Sequence, residues 1–532
     1  MNSVATPAPS YSPLAPTRPY SRRAVLLGGG ALAAGLVVAG PATSAAAQAA
    51  PLPVNPFTLG VASGDPTPDG MVLWTRLATD PVAEDGLGGM PDATVDVQWE
   101  LATDEKFARV VRRGTEQAVR QFAHSVHVEV SGLQPGREYF YRFRAGGHVS
   151  RTGRTRTTPA ATGTSPLSIA VTSCAQWEHG YFTAYRRAAE DQPHLILQLG
   201  DYIYEHGPGG YPVKTRARTM VGGEIFTLAD YRRRHAFYRT DPDLQFAHAT
   251  APWLVVFDDH EVDNNWAGNQ HEVFGVTADF LRRREAAFRA YWENMPLRLS
   301  ALPRGGSMEL FRTIRWGRTA NLHMLDTRQY RSDQACGGLY GPCSTAKAPD
   351  RTMLGEYQED WLGRQLQSST ATWDVLGQQV MFAQYDLTRG PAFTSNADAW
   401  DGYTAAKTRM LDTWQRAEVR NPVVLTGDVH EAFAWDLQRT TEEGLQAVGT
   451  EFVTTSITSG GDGEAGDFTA DTENPGMRHH SGSRGWFNAR FSTDELTVDF
   501  RGLDRVSSPG APARTEASFR VIDGQPRIET LA

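Results

Sequence analysis

Two patterns of apolar spacing divide the chain. Between Pro51 and about Pro159 apolar and polar positions alternate in short runs, Val95, Val97 and Trp99 in one and Val126, Val128 and Val130 in another. This is the two-residue period of strands with one buried face. Met71-Val72-Leu73-Trp74 is a short apolar strand preceded by the turn signals Gly64-Asp65-Pro66 and Pro68-Asp69-Gly70. Leu133-Gln134-Pro135-Gly136 leads into another strand at Tyr139-Phe140-Tyr141-Arg142-Phe143. The spacing predicts an immunoglobulin- or fibronectin-like β-sandwich over residues 50–160, closed by the linker Pro159-Ala160-Ala161-Thr162-Gly163. From Leu167 onward short, near-continuous apolar runs take over: 168–172, 194–199, 253–257, two strands within 310–325, then 375–377 and 423–427. Such runs read as strands buried on both faces. They alternate with helical stretches at 181–190 and 280–293, an Arg-rich segment at 211–250 reads as irregular to helical, and 447–525 returns to alternating strands. A layered α/β domain over 165–532 is expected.

Composition is that of a globular protein, with 40% apolar and 21% charged residues and a formal net charge of −9. Residues 1–47 hold Arg18, Arg22 and Arg23 and no acid, so a chain beginning near Gln48 would carry 49 basic against 61 acidic side chains, a net of −12. That argues against nucleic acid as the natural partner, since phosphate-backbone binding needs a basic face. Ser21-Arg22-Arg23, an apolar Gly/Ala-rich run from Ala24 to Gly40 and the small residues around Ala45–Ala49 predict a twin-arginine signal peptide over residues 1–49. The run is too short and too weakly hydrophobic for a membrane-spanning helix. A prokaryotic protein, secreted or held at the cell envelope, handled by the twin-arginine export machinery and monomeric, is expected. Cys336 and Cys343, seven apart in CGGLYGPC, read as a local disulfide of an oxidising compartment, leaving Cys174 as the odd thiol.

The chemistry gathers after four apolar strands. They end in Ser173-Cys174, in Gly200-Asp201-Tyr202-Ile203-Tyr204, in Asp258-Asp259-His260-Glu261 and in Gly427-Asp428-Val429-His430. Alone, each is a strand with a polar end, and Cys174 alone is an inert buried thiol. Together they put sulfur, oxygen and imidazole groups at the same end of a sheet, where functional groups collect. Cys174, Asp201, Tyr204, Asp259, His260, Asp428 and His430 hold too many acids and histidines for a simple zinc site, and a shared carboxylate such as Asp201 suits adjacent metal ions. Tyr202 and Glu205 take supporting roles, and His323 reads as a core histidine.

These motifs carry a resemblance. GD-x-x-Y, the D-H-E triplet and GD-x-H are similar to the metallophosphoesterase pattern in its PhoD-type alkaline phosphatase variant; DDHEVDNNW, LTGDVHEA, DAWDGY at 398–403, the leader and FTLGVASGDPTPDGMVLWTRL extend the likeness over most of the chain. The resemblance implies a four-layer α/β/β/α catalytic domain. Through the related purple acid phosphatases it implies Fe3+ held by Cys174, Asp201, Tyr204 and His430, with Asp201 bridging to Ca2+ held by Asp259, Asp428 and, as a weaker candidate, Asn265. Aspartate stands at 259 and 428 where commoner metallophosphoesterases have Asn and His, and two hard oxygen donors favour Ca2+ over Zn2+. A metal-bridging hydroxide would attack phosphorus in line, and His260, backed by Glu261, would protonate the leaving group. The implied activity is hydrolysis of phosphate monoesters, with diesters. A secreted phospholipase D of the same family shares the ligand motifs and is the nearest alternative. A non-catalytic secreted binding protein predicts a spoiled ligand position, and none is spoiled. Neither a G-x-S-x-G elbow nor H-E-x-x-H occurs.

Overall fold

The computed structural model describes residues 52–531 apart from 339, 342, 389, 392, 443 and 465–472; the signal peptide expected at 1–49 lies outside the described residues. From Leu167 the chain lays down two sheets. In the first, Leu167–Thr172, Leu195–Leu199 and Trp253–Val256 are parallel neighbours. In the second, Ala320–Met324, Trp373–Gly377, Pro422–Thr426 and Gly444–Val453 are parallel neighbours. The long strand Met477–Phe491 serves both: its first half pairs with Ala432–Thr441 and its second with Leu167–Thr172 and Glu495–Leu503.

Apolar residues on both faces of these strands explain the stacking. Val423 and Leu425 join the cluster that contains Ile169, Val171, Leu197 and Leu199 of the first sheet. Val424, between them, joins a second cluster with Leu362, Leu366, Met410 and Trp414. Those four come from the helices Gly355–Gln367 and Thr404–Arg416. Thr183–Glu190, Leu228–Tyr238, Pro242–Thr250 and Ala278–Asn294 contribute to the first cluster. The fold is mixed α/β, and among the described residues no helix is long and apolar enough to cross a membrane.

The N-terminal part holds two antiparallel groups of strands. Val95–Ala102 lies between Val110–Ala118 and Glu138–Ala145, and Gly70–Arg76 lies between Val61–Thr67 and Ser125–Val130. One buried cluster joins the groups, Val97, Leu101 and Tyr141 from one with Leu73, Val126 and Val128 from the other. The second group is not separate from the part that follows Leu167, since Gly64 pairs in parallel with Trp253. This corrects the reading of Gly64-Asp65-Pro66 as a turn: the three lie inside Val61–Thr67. Gly64 is required by close approach, because a Cβ there would stand 2.4 Å from Pro296 O and 2.8 Å from Trp253 O. A register irregularity between Gly64 and Thr67 accommodates Asp65 and Pro66.

Candidate metal centre

Three of the four marked strand ends lie side by side, because the strands before Cys174, Asp201 and Asp258 are parallel neighbours. The fourth does not belong to that row. Asp428 and His430 follow Pro422–Thr426 of the second sheet, so the expectation of one sheet end is corrected to the meeting of two stacked sheets. Glycine makes the meeting possible. A Cβ at Gly200 would lie 2.3 Å from Asp258 Cβ, and one at Gly427 would lie 2.9 Å from Ser173 Cβ. Cys174, Asp201, Asp428 and His430 have φ of 60°, 54°, 63° and 64°, and Asn265 has 49°. Left-handed backbone at a non-glycine residue costs on the order of 1–2 kcal/mol each, and such residues gather where function fixes a side chain's direction.

The loops are tied down from behind by Glu261. Its buried carboxylate accepts the backbone N–H groups of Asp201 at 3.0 Å, Asp258 at 2.8 Å and Tyr202. The expected pairing of His260 with Glu261 is therefore not formed. The partner of His260 is Glu205, whose Oε2 lies 2.7 Å from His260 Nδ1 and whose Oε1 accepts the N–H of Asn264 at 2.9 Å. Glu261 is committed to those three backbone N–H groups instead.

Ligand atoms of Cys174, Asp201 and His430 all lie within 4.8 Å of one another. Tyr204 Oη completes this group, 2.9 Å from Asp201 Oδ2, 3.2 Å from His430 Nε2 and 2.7 Å from Ser459 Oγ. Asp201 also belongs to a group with Asp259 and His260, and Asp259 to one with Asp258 and Asp428, under the same 4.8 Å limit. Asn265 is turned elsewhere: its Nδ2 donates to Glu272 at 2.9 Å and its backbone N–H to Asp259 at 2.7 Å.

So many buried acids need positive charge. The protein supplies Arg328, fully buried, which donates to Asp258 and Asp398 and lies 3.8 Å from Asp259 and 3.6 Å from Asp428. Burial, reinforced by neighbouring carboxylates, pushes Asp201, Asp258 and Asp428 well above the usual range. Burial and the charge of Asp201 do the same to the Cys174 thiol and the Tyr204 phenol. Asp259 is held low against its burial by Arg328 and His260. His260 is held well up against its burial by Glu205, Asp259 and Asp201, whereas burial and Arg484 push His430 down to about 3. Burial raises Glu261 to about 7. Asp201 Oδ1, Asp258 Oδ2 and Asp259 Oδ1 are buried without hydrogen-bond partners. Orphaned carboxylate oxygens on Asp201, Asp258 and Asp259, with one arginine beside the last two and none beside Asp201 among these pairs, fit bound cations, whose charge would relieve these strains together. A thiol, a phenol and an imidazole around Asp201 suit a transition metal; the oxygen-only group of Asp258, Asp259 and Asp428 suits a hard divalent ion.

Sequence reasoning missed Asp258, Arg328, Asp398 and Tyr211. Asp258 stood in plain view in the Asp-Asp doublet, and Asp398 in DAWDGY. Arg328 lies in Asp326-Thr327-Arg328 after Ala320–Met324, a strand whose end carried no motif. Tyr211 spans the group, its ring 5.2 Å from those of Tyr204 and His260 and 6.3 Å from that of His430. Away from the site, His323 is fully buried between Thr313 Oγ1 at 2.9 Å and Asp374 Oδ1 at 3.0 Å. Cys336 and Cys343 form a disulfide with Cα atoms 6.0 Å apart, and the free Cys174 is buried.

Residues 169–500 match the family model described as PhoD-like phosphatase, and residues 42–159 the one described as PhoD-like phosphatase, N-terminal domain. Alkaline phosphatase D of Bacillus subtilis (strain 168) is 45% identical over 513 residues, covering 94% of this chain and 87% of the relative. A solved structure of PhoD superposes with a TM-score of 0.87 at 45% identity, covering 90% of this chain and 93% of that one. A purple acid phosphatase from yellow lupin (Lupinus luteus) seeds superposes with a TM-score of 0.53 at 13% identity, covering 88% and 75%, a likeness of fold. Family models that span most of the chain, and a relative this similar over nearly all of it, make this chain a member of the PhoD-like phosphatase family.

Proposed function

We propose that this phosphoesterase hydrolyses phosphate monoesters, and diesters with them, at a centre of Fe3+ and Ca2+. The observation that carries the reading is the sharing of Asp201 between two clusters of ligand atoms, one with Cys174 and His430, the other with Asp259 and His260. In this reading Cys174, Asp201, Tyr204 and His430 hold Fe3+, and Asp201, Asp259 and Asp428 hold Ca2+ beside it. Asp258, which shares a cluster with Asp259 and Asp428, is a further oxygen donor. Asn265 joins only if its amide turns away from Glu272. Such ions supply Lewis acidity, which acidifies water and neutralises charge on the phosphoryl oxygens.

The chain's own residues do the rest. His260, held at Nδ1 by the Glu205 carboxylate, keeps Nε2 available to protonate the departing alkoxide. Glu261 acts through the backbone, fixing the loops that carry Asp201 and Asp259. Arg328 holds Asp258 and Asp398 and sets the spacing of the acidic group. The same reading takes residues 50–160 as an immunoglobulin- or fibronectin-like sandwich and 165–532 as a four-layer α/β/β/α catalytic domain. Support comes from the buried cluster shared by the N-terminal strands and from the apolar clusters on both faces of Pro422–Thr426. Residues 1–49 are taken as a twin-arginine leader, and the mature protein as an exported monomer.

A second reading, a phospholipid diester as substrate, has one specific observation in its favour. Val273 and Phe274 are 71% and 72% exposed, on a hairpin whose Glu272 is bonded by Asn264 and Asn265 beside Asp259. Rates on p-nitrophenyl phosphate, bis-p-nitrophenyl phosphate and phosphatidylcholine separate the readings. Turnover of the first two supports the proposal; turnover confined to phosphatidylcholine overturns it.

A further inference from the structure

Behind the metal-centre loops lies a second polar cluster that the reaction does not use. Arg239, directly after the helix Leu228–Tyr238, is fully buried, with its guanidinium 4.2 Å from the centroid of a ring of Trp74. None of its side-chain nitrogens has an acceptor in hydrogen-bonding geometry. Among the described residues it forms no salt bridge, and the groups that act on it are two phenols, not acids: Tyr202, a weak hydrogen-bond partner short of that geometry that offers one oxygen to five N–H donors, and Tyr141. A guanidinium stays charged in a protein, so burial cannot be relieved by losing the proton. A buried charge of this kind is retained only with a counter-charge or a full set of acceptors. The indole face attracts the cation but accepts no N–H in the guanidinium plane, and the helix C-terminus offers about half a negative charge at most.

The surroundings repeat the imbalance. Tyr141 Oη and Ser63 Oγ are buried with no partner beyond a weak contact with each other, and both ring nitrogens of His235 and Nδ1 of His248 are buried without any. His235 feels Arg76, Arg239 and Arg234, and His248 feels Arg239; no acid acts on either. These groups come from both parts of the molecule: Ser63 and Tyr141 from N-terminal strands, Arg239 and His248 from beside and within helices of the catalytic part. Every one can donate a hydrogen bond and none is a carboxylate.

We propose that Arg239 is the anchor of a buried anion site, which takes a monovalent halide-sized anion such as chloride, with the Tyr141 and Ser63 hydroxyls as further donors. An anion accepts hydrogen bonds only and brings the missing charge, whereas water brings donors of its own and no charge. The ion would fasten the N-terminal strands to the helix that precedes Arg239, and so the inference stands apart from the assignment of the catalytic metals.

The test uses the full chain purified and crystallised with bromide in place of chloride. An anomalous bromide peak within hydrogen-bonding distance of Arg239 is expected. So is a melting temperature several degrees higher in chloride or bromide than in gluconate at equal ionic strength, a difference that Arg239→Gln abolishes. If that variant does not fold, Arg239→Lys and the wild-type diffraction experiment still decide. Water alone on the Arg239 donors with no bromide signal, a carboxylate paired to Arg239 in the crystal, or melting indifferent to the anion overturns the proposal.

Discussion

Glu205→Gln isolates the proton-transfer arm of the reaction. The change keeps the size of the side chain and its ability to accept from Asn264 N–H, now 2.9 Å away, and removes the charge that faces His260 Nδ1 at 2.7 Å. A hydrogen bond to a charged group contributes about 1.5–3 kcal/mol, so losing its charge-assisted part is expected to cost about 1.5–2 kcal/mol wherever His260 carries a proton to the substrate. At 1.36 kcal/mol per factor of ten, that is a fall in kcat of about 10–30-fold. The fall should depend on the leaving group. An alkyl phosphate such as phosphoserine expels a strongly basic alkoxide and needs the proton; p-nitrophenolate leaves without it. The assay compares kcat on the two substrates for wild type and variant: the large loss is expected on phosphoserine, with less than about a threefold loss on p-nitrophenyl phosphate. Equal losses on both would mean that Glu205 only holds the loop of Asn264 in place, and the assignment of His260 as proton donor would lose its support.

Further consequences can be measured directly. Gly200→Ala sets a Cβ 2.3 Å from that of Asp258 at a backbone φ of 100°. We expect a loss of about 3 kcal/mol or more, read by thermal unfolding, with metal content reduced because the Asp201 and Asp258 loops separate. A variant as stable and as well loaded as wild type would show that the loops yield. Excess EGTA should remove activity by at least about tenfold and added Ca2+ should restore it; full activity in EGTA counts against calcium. Burial pushes His127, stacked on Trp292 away from the site, down to about 4, so it stays neutral in the fold where the unfolded chain takes up a proton. The unfolded state binds more protons below its pKa of about 6.5, so His127 adds no penalty above that pH and up to about 1.4 kcal/mol of destabilisation per pH unit between 6.5 and the folded value. Melting temperature should fall below pH 6.5 less steeply in His127→Phe than in wild type; identical slopes would refute this.

What the sequence disclosed, and what it hid, follows from how far each signal reaches along the chain. A buried strand and the residue that follows it are local, and the ends at Cys174, Asp201, Asp259 and Asp428 were all legible as apolar runs closing in ligand types. That the last of these belongs to a second sheet was not, because strand partners are chosen by packing across the whole domain. Arg328 reaches the acids from a turn some seventy residues after Asp258, and the distance in sequence erased it. Adjacency makes Glu261 the expected partner of His260, yet Glu261 is taken up by backbone N–H groups and Glu205 arrives from another loop. The helix Gly355–Gln367 escaped notice because its buried face is sparse, Gln358, Leu362 and Leu366, with Gly363 beside it. Gly64-Asp65-Pro66 misled for the opposite reason: strong local turn residues were overruled by strand pairing on both sides.

The proposed function depends above all on a centre in which Tyr204 and Cys174 bind iron beside calcium. It is tested most directly by elemental analysis of the purified protein together with visible spectra of wild type and Tyr204→Phe. Stoichiometric iron with calcium is expected, with a coloured wild-type protein whose band comes from tyrosinate bound to Fe3+, and a bleached variant. A colourless, iron-free wild type with full phosphatase activity would contradict it.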